Sequence, residues 1–237
     1  MSEHASESIP ETAPAGVVTA IQEHPRRPGR FTVLVDGEDL GAVSVDAIAE
    51  LGLRVGLPLT PGRRSALTLM VQRTALLDRA LDLLAVRARS TVELRRRLAR
   101  LDAGPDDVAW VEERLRAQGY LDDTSFARQY ARSRLLGGGV SKRRIQDELY
   151  GRGVPRETAL EGIDAALAET QLDEFAAARA AAERRLRSLQ ALDPAVARRR
   201  LYGFLARRGY EPGVVSRVLR EVLDSDAADD GGLAEDS

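Results

Sequence analysis

The sequence is expected to fold as a mainly α-helical chain, with tandem three-helix repeats behind a small strand-containing N-terminal module. Three observations predict this. From about residue 63, apolar residues recur at helical spacing, beginning with Leu67, Met70, Val71, Thr74, Leu77 and Leu81. Breaks then arrive at regular intervals: Arg89-Ser90, Ala103-Gly104-Pro105, Gly119, Gly137 to Gly139, Gly153 to Pro155, Asp193-Pro194 and Gly209 to Pro212. Finally, the stretch 142–154 reappears at 198–210, with three basic residues, an apolar pair four apart, a helix-ending Gly and an apolar residue in the same order.

Taken from the N-terminus, residues 1–16 are polar, carry Pro10 and Pro14, and are expected to be disordered. Residues 17–62 form the small module. Val17–Glu23 and Arg30–Val35 are β-like runs, Asp36-Gly37 is a turn signal, and Gly41–Val45 is a third strand candidate. Asp46 is the expected N-cap of a short helix over Ala47–Leu51, stopped by Gly52. A unit this small needs a neighbour to complete its core. Residues 63–121 are expected to hold a linker helix and repeat 1, with helices near 75–87, 91–101 and 106–118. Residues 122–169 form repeat 2, with helices near 123–136, 141–151 and 156–168. Residues 170–223 form repeat 3, with helices near 172–188, 194–207 and 212–223. Ser90-Thr91-Val92-Glu93 reads as a capping box, and Asp193-Pro194 as an N-cap with Pro at the first helical position. The second and third repeats align at an offset of 56, pairing Ile163 with Leu219. The first joins at an offset of 51, where Ser90, Leu94 and Leu98 match Ser141, Ile145 and Leu149.

Composition removes several classes of function. There are no cysteines, which excludes disulfides, thiolate metal sites and cysteine nucleophiles. The two histidines, His4 and His24, stand near the N-terminus, so a histidine-centred active site is not expected. No nucleophile–base pair, metal cluster, cofactor motif or phosphate loop is evident, and the reading is a non-enzyme. No apolar run approaches the length of a membrane span, and the first 16 residues do not resemble a signal peptide; a cytoplasmic monomer without a membrane role is expected. Net charge is −2, but it is unevenly spread. Residues 75–223 carry 28 basic and 22 acidic groups, whereas 224–237 carry six acidic groups and no basic one. The acidic tail is expected to be disordered; its carboxylates are also candidates to mimic phosphate and fold back on the basic face.

The basic triplets carry the functional expectation. Leu94 and Leu98, Ile145 and Leu149, and Leu201 and Leu205 must face the core, so the charged residues beside them project sideways or outward. The candidate partner- and DNA-binding residues are Arg87, Arg89, Arg95, Arg96, Lys142, Arg143, Arg144, Arg152, Arg198, Arg199 and Arg200. Aligned across three repeats, they would form a ridge for phosphates or an acidic protein groove. The plainer reading is a solvated face whose arginines lie over apolar surface. Gly119-Tyr120-Leu121-Asp122-Asp123 is read as a helix stop followed by an Asp cap rather than a paired-carboxylate site. Trp110 is read as packing rather than a base-stacking platform, and Gly137 to Gly139 as a flexible helix break.

These residues resemble the RecX family, regulators of the RecA recombinase. The resemblance is carried by Ala80-Leu81-x-x-Leu84-x-x-Arg87-x-Arg89-Ser90-x-x-Glu93-Leu94-Arg95-x-x-Leu98, by Gln118 to Asp123 with Phe126-Ala127, by Arg132-Ser133-Arg134, and by Ile145-x-x-Glu148-Leu149-x-x-x-Gly153-Val154. It covers about residues 17–223 and is most specific over 80–154. It implies an elongated, curved array of three-helix repeats that binds RecA–DNA filaments and more weakly binds single- and double-stranded DNA without sequence preference. It implies inhibition of recombinase ATPase, filament extension and strand exchange, within DNA repair and homologous recombination, and no catalytic residue. The chain departs from the family at Gly137 to Gly139, where relatives carry lysine, and at Leu101 to Pro105, where a Gly-aromatic turn is usual. A DNA-binding repeat protein acting without recombinase, or a scaffold for another protein, are the alternative readings.

Overall fold

The computed structural model describes residues 14–171 and 173–230. The expectations for 1–13 and 231–237 lie outside the described residues. Three strands open the chain, β1 (Val18–Glu23), β2 (Arg30–Val35) and β3 (Glu38–Ser44), followed by the short helix α1 (Val45–Glu50) and the long helix α2 (Pro61–Val86). Then come α3 (Thr91–Leu98) with a 3-10 turn over Ala99–Leu101, α4 (Pro105–Ala117), α5 (Asp123–Gly138), α6 (Lys142–Gly151) and α7 (Arg156–Thr170). The chain continues through α8 (Glu174–Leu186), α9 (Pro194–Arg207) and α10 (Pro212–Asp230).

The described chain packs as two compact units, and the division falls inside α3. One unit comprises the residues through Arg87 together with Arg95–Gln118; the other comprises Ala88–Leu94 and the residues from Gly119 onward.

In the first unit the antiparallel sheet has the order β1-β2-β3. Asp36 and Gly37 both take positive φ, 53° and 85°, so a two-residue turn closes the β2–β3 hairpin and pairing resumes at once between Val35 and Glu38. The third strand therefore starts three residues before the expected Gly41. Ser44 rather than Asp46 caps α1: its hydroxyl accepts from the Ala47 N–H at 3.2 Å, which leaves Asp46 in the first turn. Ala15 and Gly16, expected to be disordered, are hydrogen-bonded to Leu59 and so belong to the module. Its core of Val18, Val33, Val35, Val43, Leu57 and Leu59 is completed by Leu67 of α2, with Met70 and Val71 against it. Arg30 on β2 donates to Asp78 on α2 and Arg27 pairs with Asp82, which pins the sheet to the helix.

The second unit holds two three-helix layers. Phe126, Ala127, Ala131 and Leu135 of α5 pack with Ile145 and Leu149 of α6 and Ile163 and Ala166 of α7. The next layer is built from Ala178, Ala181 and Ala182 of α8, Leu201 and Leu205 of α9, and Val215, Val218 and Leu219 of α10. An alanine face on α8 lets its neighbours approach closely, which suits a chain with few aromatic residues. The residues aligned by the 56-residue offset occupy equivalent places: Ile145 and Leu201, Leu149 and Leu205, and Ile163 and Leu219 are all fully or almost fully buried. Two expected boundaries move. α5 continues through Gly138 and ends at Gly139 in the left-handed region, so the glycine run is a helix end rather than a flexible break. α10 extends to Asp230, past the expected end at 223.

Candidate nucleic-acid interface

The three basic triplets fall in the last turn of α3, the first turn of α6 and the second turn of α9, and the apolar pairs beside them point into the core. Among the described residues, Arg96, Arg97, Arg143, Arg198, Arg199 and Arg200 are exposed and have no acidic partner. The other candidates are held internally. Arg95 forks onto Glu112 with both bonds at 2.7 Å, and that carboxylate, 3% exposed, also receives Arg116 at 3.2 Å. Arg95 thus neutralises a buried charge that would otherwise be costly. Lys142 pairs with Asp164, and Arg144 reaches Glu148 one turn along its own helix at 3.2 Å. Arg152 pairs with Glu93 at 2.6 Å and lies over the Tyr130 ring, 4.7 Å from its centroid. Arg87 caps the C-terminal end of α2, and Arg89 sits half-buried just before α3. Triplets 142–144 and 198–200 are not brought side by side. The N-terminus of α6 meets the turn after α9, so the two ridges are separated by roughly the stretch of α9 from 198–200 to its end, on the order of 12–15 Å.

That meeting point belongs to a joint the molecule builds twice. Ser90, which caps α3 by accepting the Glu93 N–H at 3.1 Å, donates its hydroxyl hydrogen to the Arg152 carbonyl at 2.6 Å. Ser141, which caps α6 by accepting the Arg144 N–H at 3.1 Å, donates its backbone N–H to the Arg208 carbonyl at 3.1 Å. Arg152 and Arg208 are one offset of 56 apart, and Ser90 and Ser141 one offset of 51 apart. Each joint needs the glycine that follows the arginine. Gly153 and Gly209 have φ of 80° and 87°, and a Cβ would stand 2.5 Å from Val92 at the first and 2.7 Å from the Ser141 hydroxyl at the second. The turn after one middle helix therefore seats directly on the N-cap of the preceding middle helix.

Charge distinguishes the two joints. Burial lowers the pKa of Arg152, but Tyr130 and Glu93 offset this and leave it above the ordinary arginine value. Burial also lowers Arg208; only Tyr210 opposes it, and Arg184, Arg134 and Arg185 depress it further. Arg208 lies 3.9 Å from the Phe204 ring centroid and Arg185 lies 5.7 Å from it. Burial likewise pushes up the Tyr210 hydroxyl, which is buried and has no hydrogen-bond partner among the described residues. Beside Lys142 and Arg143 a larger cavity of about 710 Å³ opens, with Tyr150, Glu174 and Glu211 in its wall. Burial and the neighbouring Glu211 hold the Glu174 carboxyl above its ordinary value.

Arg184, Arg185 and Arg208 are not among the candidate residues read from the sequence. The signal was present in Arg184-Arg185-x-Arg187 at the end of α8, opposite a basic α9 end. Asp122 caps α5 by accepting from the Thr124 and Ser125 N–H groups; hydrogen bonding to Ser125 holds its carboxyl below the ordinary value. Asp123 accepts the Thr91 N–H at 2.8 Å, so the Asp pair caps two helices. Trp110 is half-buried with Arg73 and Arg114 at 5.7 and 5.5 Å from its ring centroid, a packed position. Among the described residues no group of three His, Asp or Glu side chains is placed to hold a metal ion, and no helix is long and apolar enough to cross a membrane.

Repeated helical triplets, jointed cap to turn, define a helical-repeat protein. The models of the first, second and third three-helix domains of RecX match residues 77–115, 122–167 and 172–219 in turn. The regulatory protein RecX of Mycobacterium avium is 38% identical over 143 residues, covering 59% of this chain and 79% of that protein. That of Amycolatopsis mediterranei is 37% identical over 142 residues, covering 60% and 79%. The chain belongs to the RecX family of regulatory proteins. In fold it is similar to a crystal structure of a regulatory protein RecX (TM-score 0.66, 21% identity, 86% of this chain and 98% of that one). It is also similar to RecX from Lactobacillus salivarius (TM-score 0.54, 17% identity, 63% and 96%).

Proposed function

We propose that this chain is a non-catalytic regulator that binds RecA recombinase–DNA filaments in the cytoplasm and inhibits recombinase ATPase, filament extension and strand exchange. Family membership supports the regulatory role. The observation that carries the binding mode is the set of exposed arginines without acidic partners among the described residues on α3, α6 and α9: Arg96, Arg97, Arg143 and Arg198 to Arg200. An exposed ion pair contributes only about 0–1 kcal/mol, so a useful affinity requires many such contacts made together and weakens as salt rises. Arg95 and Arg152 act by holding Glu112 and Glu93 rather than by touching a partner.

The test is co-sedimentation with recombinase filaments on single-stranded DNA, alongside filament ATPase. The native chain should co-sediment and slow ATP turnover. A variant with Arg96, Arg97, Arg143 and Arg198 to Arg200 changed to Gln should keep its helical content and lose both effects. Unchanged ATPase and strand exchange at saturating native protein would overturn the reading.

A further inference from the structure

The joint between the second and third repeats carries an acid that its backbone plan does not need. At the first joint Asp123 accepts the Thr91 N–H at 2.8 Å and so caps α3, while Val154 and Pro155 lead the chain into α7. One repeat on, Glu174 stands at the place of Asp123 and accepts from the Lys142 N–H, the equivalent of Thr91. Here, however, Tyr210 replaces Val154 and Glu211 replaces Pro155. The second joint therefore has one more carboxylate and one more hydroxyl than the first. That hydroxyl is buried without a hydrogen-bond partner among the described residues, so it answers neither acid. Glu174 is half-buried, and the added Glu211 makes its charge harder to hold. A cap alone would do better without that neighbour.

The two acids form one side of the cavity of about 710 Å³ beside Lys142. The third repeat contributes Glu174 and Glu211 to it. The second repeat contributes Arg143, Asp147 and Tyr150 from α6, and Arg156 from the start of α7. Lys142 is drawn to Asp164 on α7. Among the described residues, Arg143, Arg156, Glu174 and Glu211 belong to no ion pair. Tyr150 is 75% exposed. Charges of both signs lining one cleft without meeting select an occupant that brings both signs itself. A nucleic-acid strand brings only negative charge, which Glu174 and Glu211 repel. A metal ion finds two carboxylates and no third ligand, since no group of three His, Asp or Glu among the described residues is placed to hold one. A protein segment meets the requirement when a lysine or arginine lies one or two residues from an acid. An exposed tyrosine offers such a cation an aromatic face, and Tyr and Arg are the side chains that anchor protein contacts best.

We propose that this cleft between the second and third repeats is a docking site for a protein segment of mixed charge. A lysine or arginine of the partner enters between Glu174 and Glu211, and a neighbouring carboxylate of the same segment meets Arg143 and Arg156. The assignment does not depend on the filament-binding reading given above.

The test is a titration of the full chain, labelled with nitrogen-15, with a blocked pentapeptide of sequence Asp-Ala-Lys-Ala-Asp. The Tyr150, Gly209 and Glu211 amides should shift saturably in the millimolar range. The same peptide with norleucine for lysine keeps the stem and lacks the charge, and should bind at least tenfold more weakly. E174Q/E211Q should retain the native thermal midpoint or exceed it, because repulsion is relieved, and should bind the lysine peptide at least tenfold more weakly. E50Q/E113Q, an equal change of charge at exposed positions of the other unit, should bind it as the native chain does. Absence of saturable shifts, equal binding of the norleucine peptide, or an affinity that survives E174Q/E211Q overturns the proposal. Equal affinity for acetyl-lysine amide, which brings the cation without the acids, assigns the cleft to a small free cation and overturns the docking of a protein segment. Failure of the filament experiment alone leaves this result standing.

Discussion

The Ser90–Arg152 and Ser141–Arg208 joints share a backbone plan and differ in their electrostatics. In both, a serine at a helix N-cap is bonded to the carbonyl of an arginine that precedes a left-handed glycine. At the first, the arginine side chain meets a glutamate and a tyrosine ring and its charge is answered. At the second, the arginine has arginines for neighbours and a phenylalanine beneath it, and a tyrosine hydroxyl is buried nearby without a partner. The contrast teaches that holding the repeats together needs only the backbone plan. The side chains above it can then differ, a glutamate and a tyrosine meeting the arginine at one joint and a phenylalanine ring at the other.

The largest expected effects test the shared plan. Gly153→Ala puts a methyl group against Val92 at a positive φ, and the combined strain and overpacking should cost about 2–4 kcal/mol in urea denaturation. Gly209→Ala meets the Ser141 hydroxyl and Arg144 Cβ and should cost slightly less, about 1–3 kcal/mol. Equal stability of either variant with the native chain would remove the joint as a structural device.

The next pair tests the difference between the joints. Arg152→Gln removes the 2.6 Å ion pair to Glu93, 16% exposed, and should destabilise the fold by about 1–2 kcal/mol. Arg208→Gln removes a guanidinium that burial and the Arg184, Arg134 and Arg185 charges disfavour, and should cost less than Arg152→Gln. Equal losses for the two would mean that the joints are electrostatically alike. Tyr210→Phe should stabilise by up to about 1 kcal/mol, since it deletes a buried hydroxyl that lacks a partner.

A smaller effect is expected from pH. Burial pushes the Glu148 carboxyl up, but hydrogen bonds from Arg134, Tyr130 and Arg144, with the Arg134 charge, bring it below its ordinary value. A carboxylate depressed in the folded state contributes stability in full above its unfolded pKa and loses it as pH falls through the folded one. Urea midpoints measured between neutral and mildly acid pH should therefore fall on the acid side, and Glu148→Gln should flatten that fall. An unchanged slope in the variant would show that Glu148 is not the group responsible.

Much of the fold was legible in the sequence because helical periodicity, capping residues and turn glycines are local signals. The seven helices from α4 to α10 begin within two residues of their expected starts, and the two offsets identified the buried apolar pairs correctly. The larger departures arise where local rules compete. Ser44 outcompetes Asp46 as the α1 cap by reaching the Ala47 N–H, and the Asp36-Gly37 turn is tight enough for β3 to begin directly after it. Side-chain partnership was less legible. Helical geometry indicates that Arg95 leaves the core face, but it does not show that Glu112, 17 residues away, rises to meet it. The joints were harder still, since Ser90 and Arg152 are 62 residues apart and neither type of residue is a recognised pairing signal.

One consequence follows from the way each middle helix rests on the next. These bonds reach a single neighbour, so strength passes along this part of the chain link by link rather than through a common centre. In the earlier link Arg152 pairs with Glu93, whereas in the last Arg208 sits near Arg184, Arg134 and Arg185, and this link should give way first under heat or load. Amide exchange at Leu201 and Leu205 ahead of Ile145 and Leu149 would mark a molecule that frays from its C-terminal end while the layer before it stays folded.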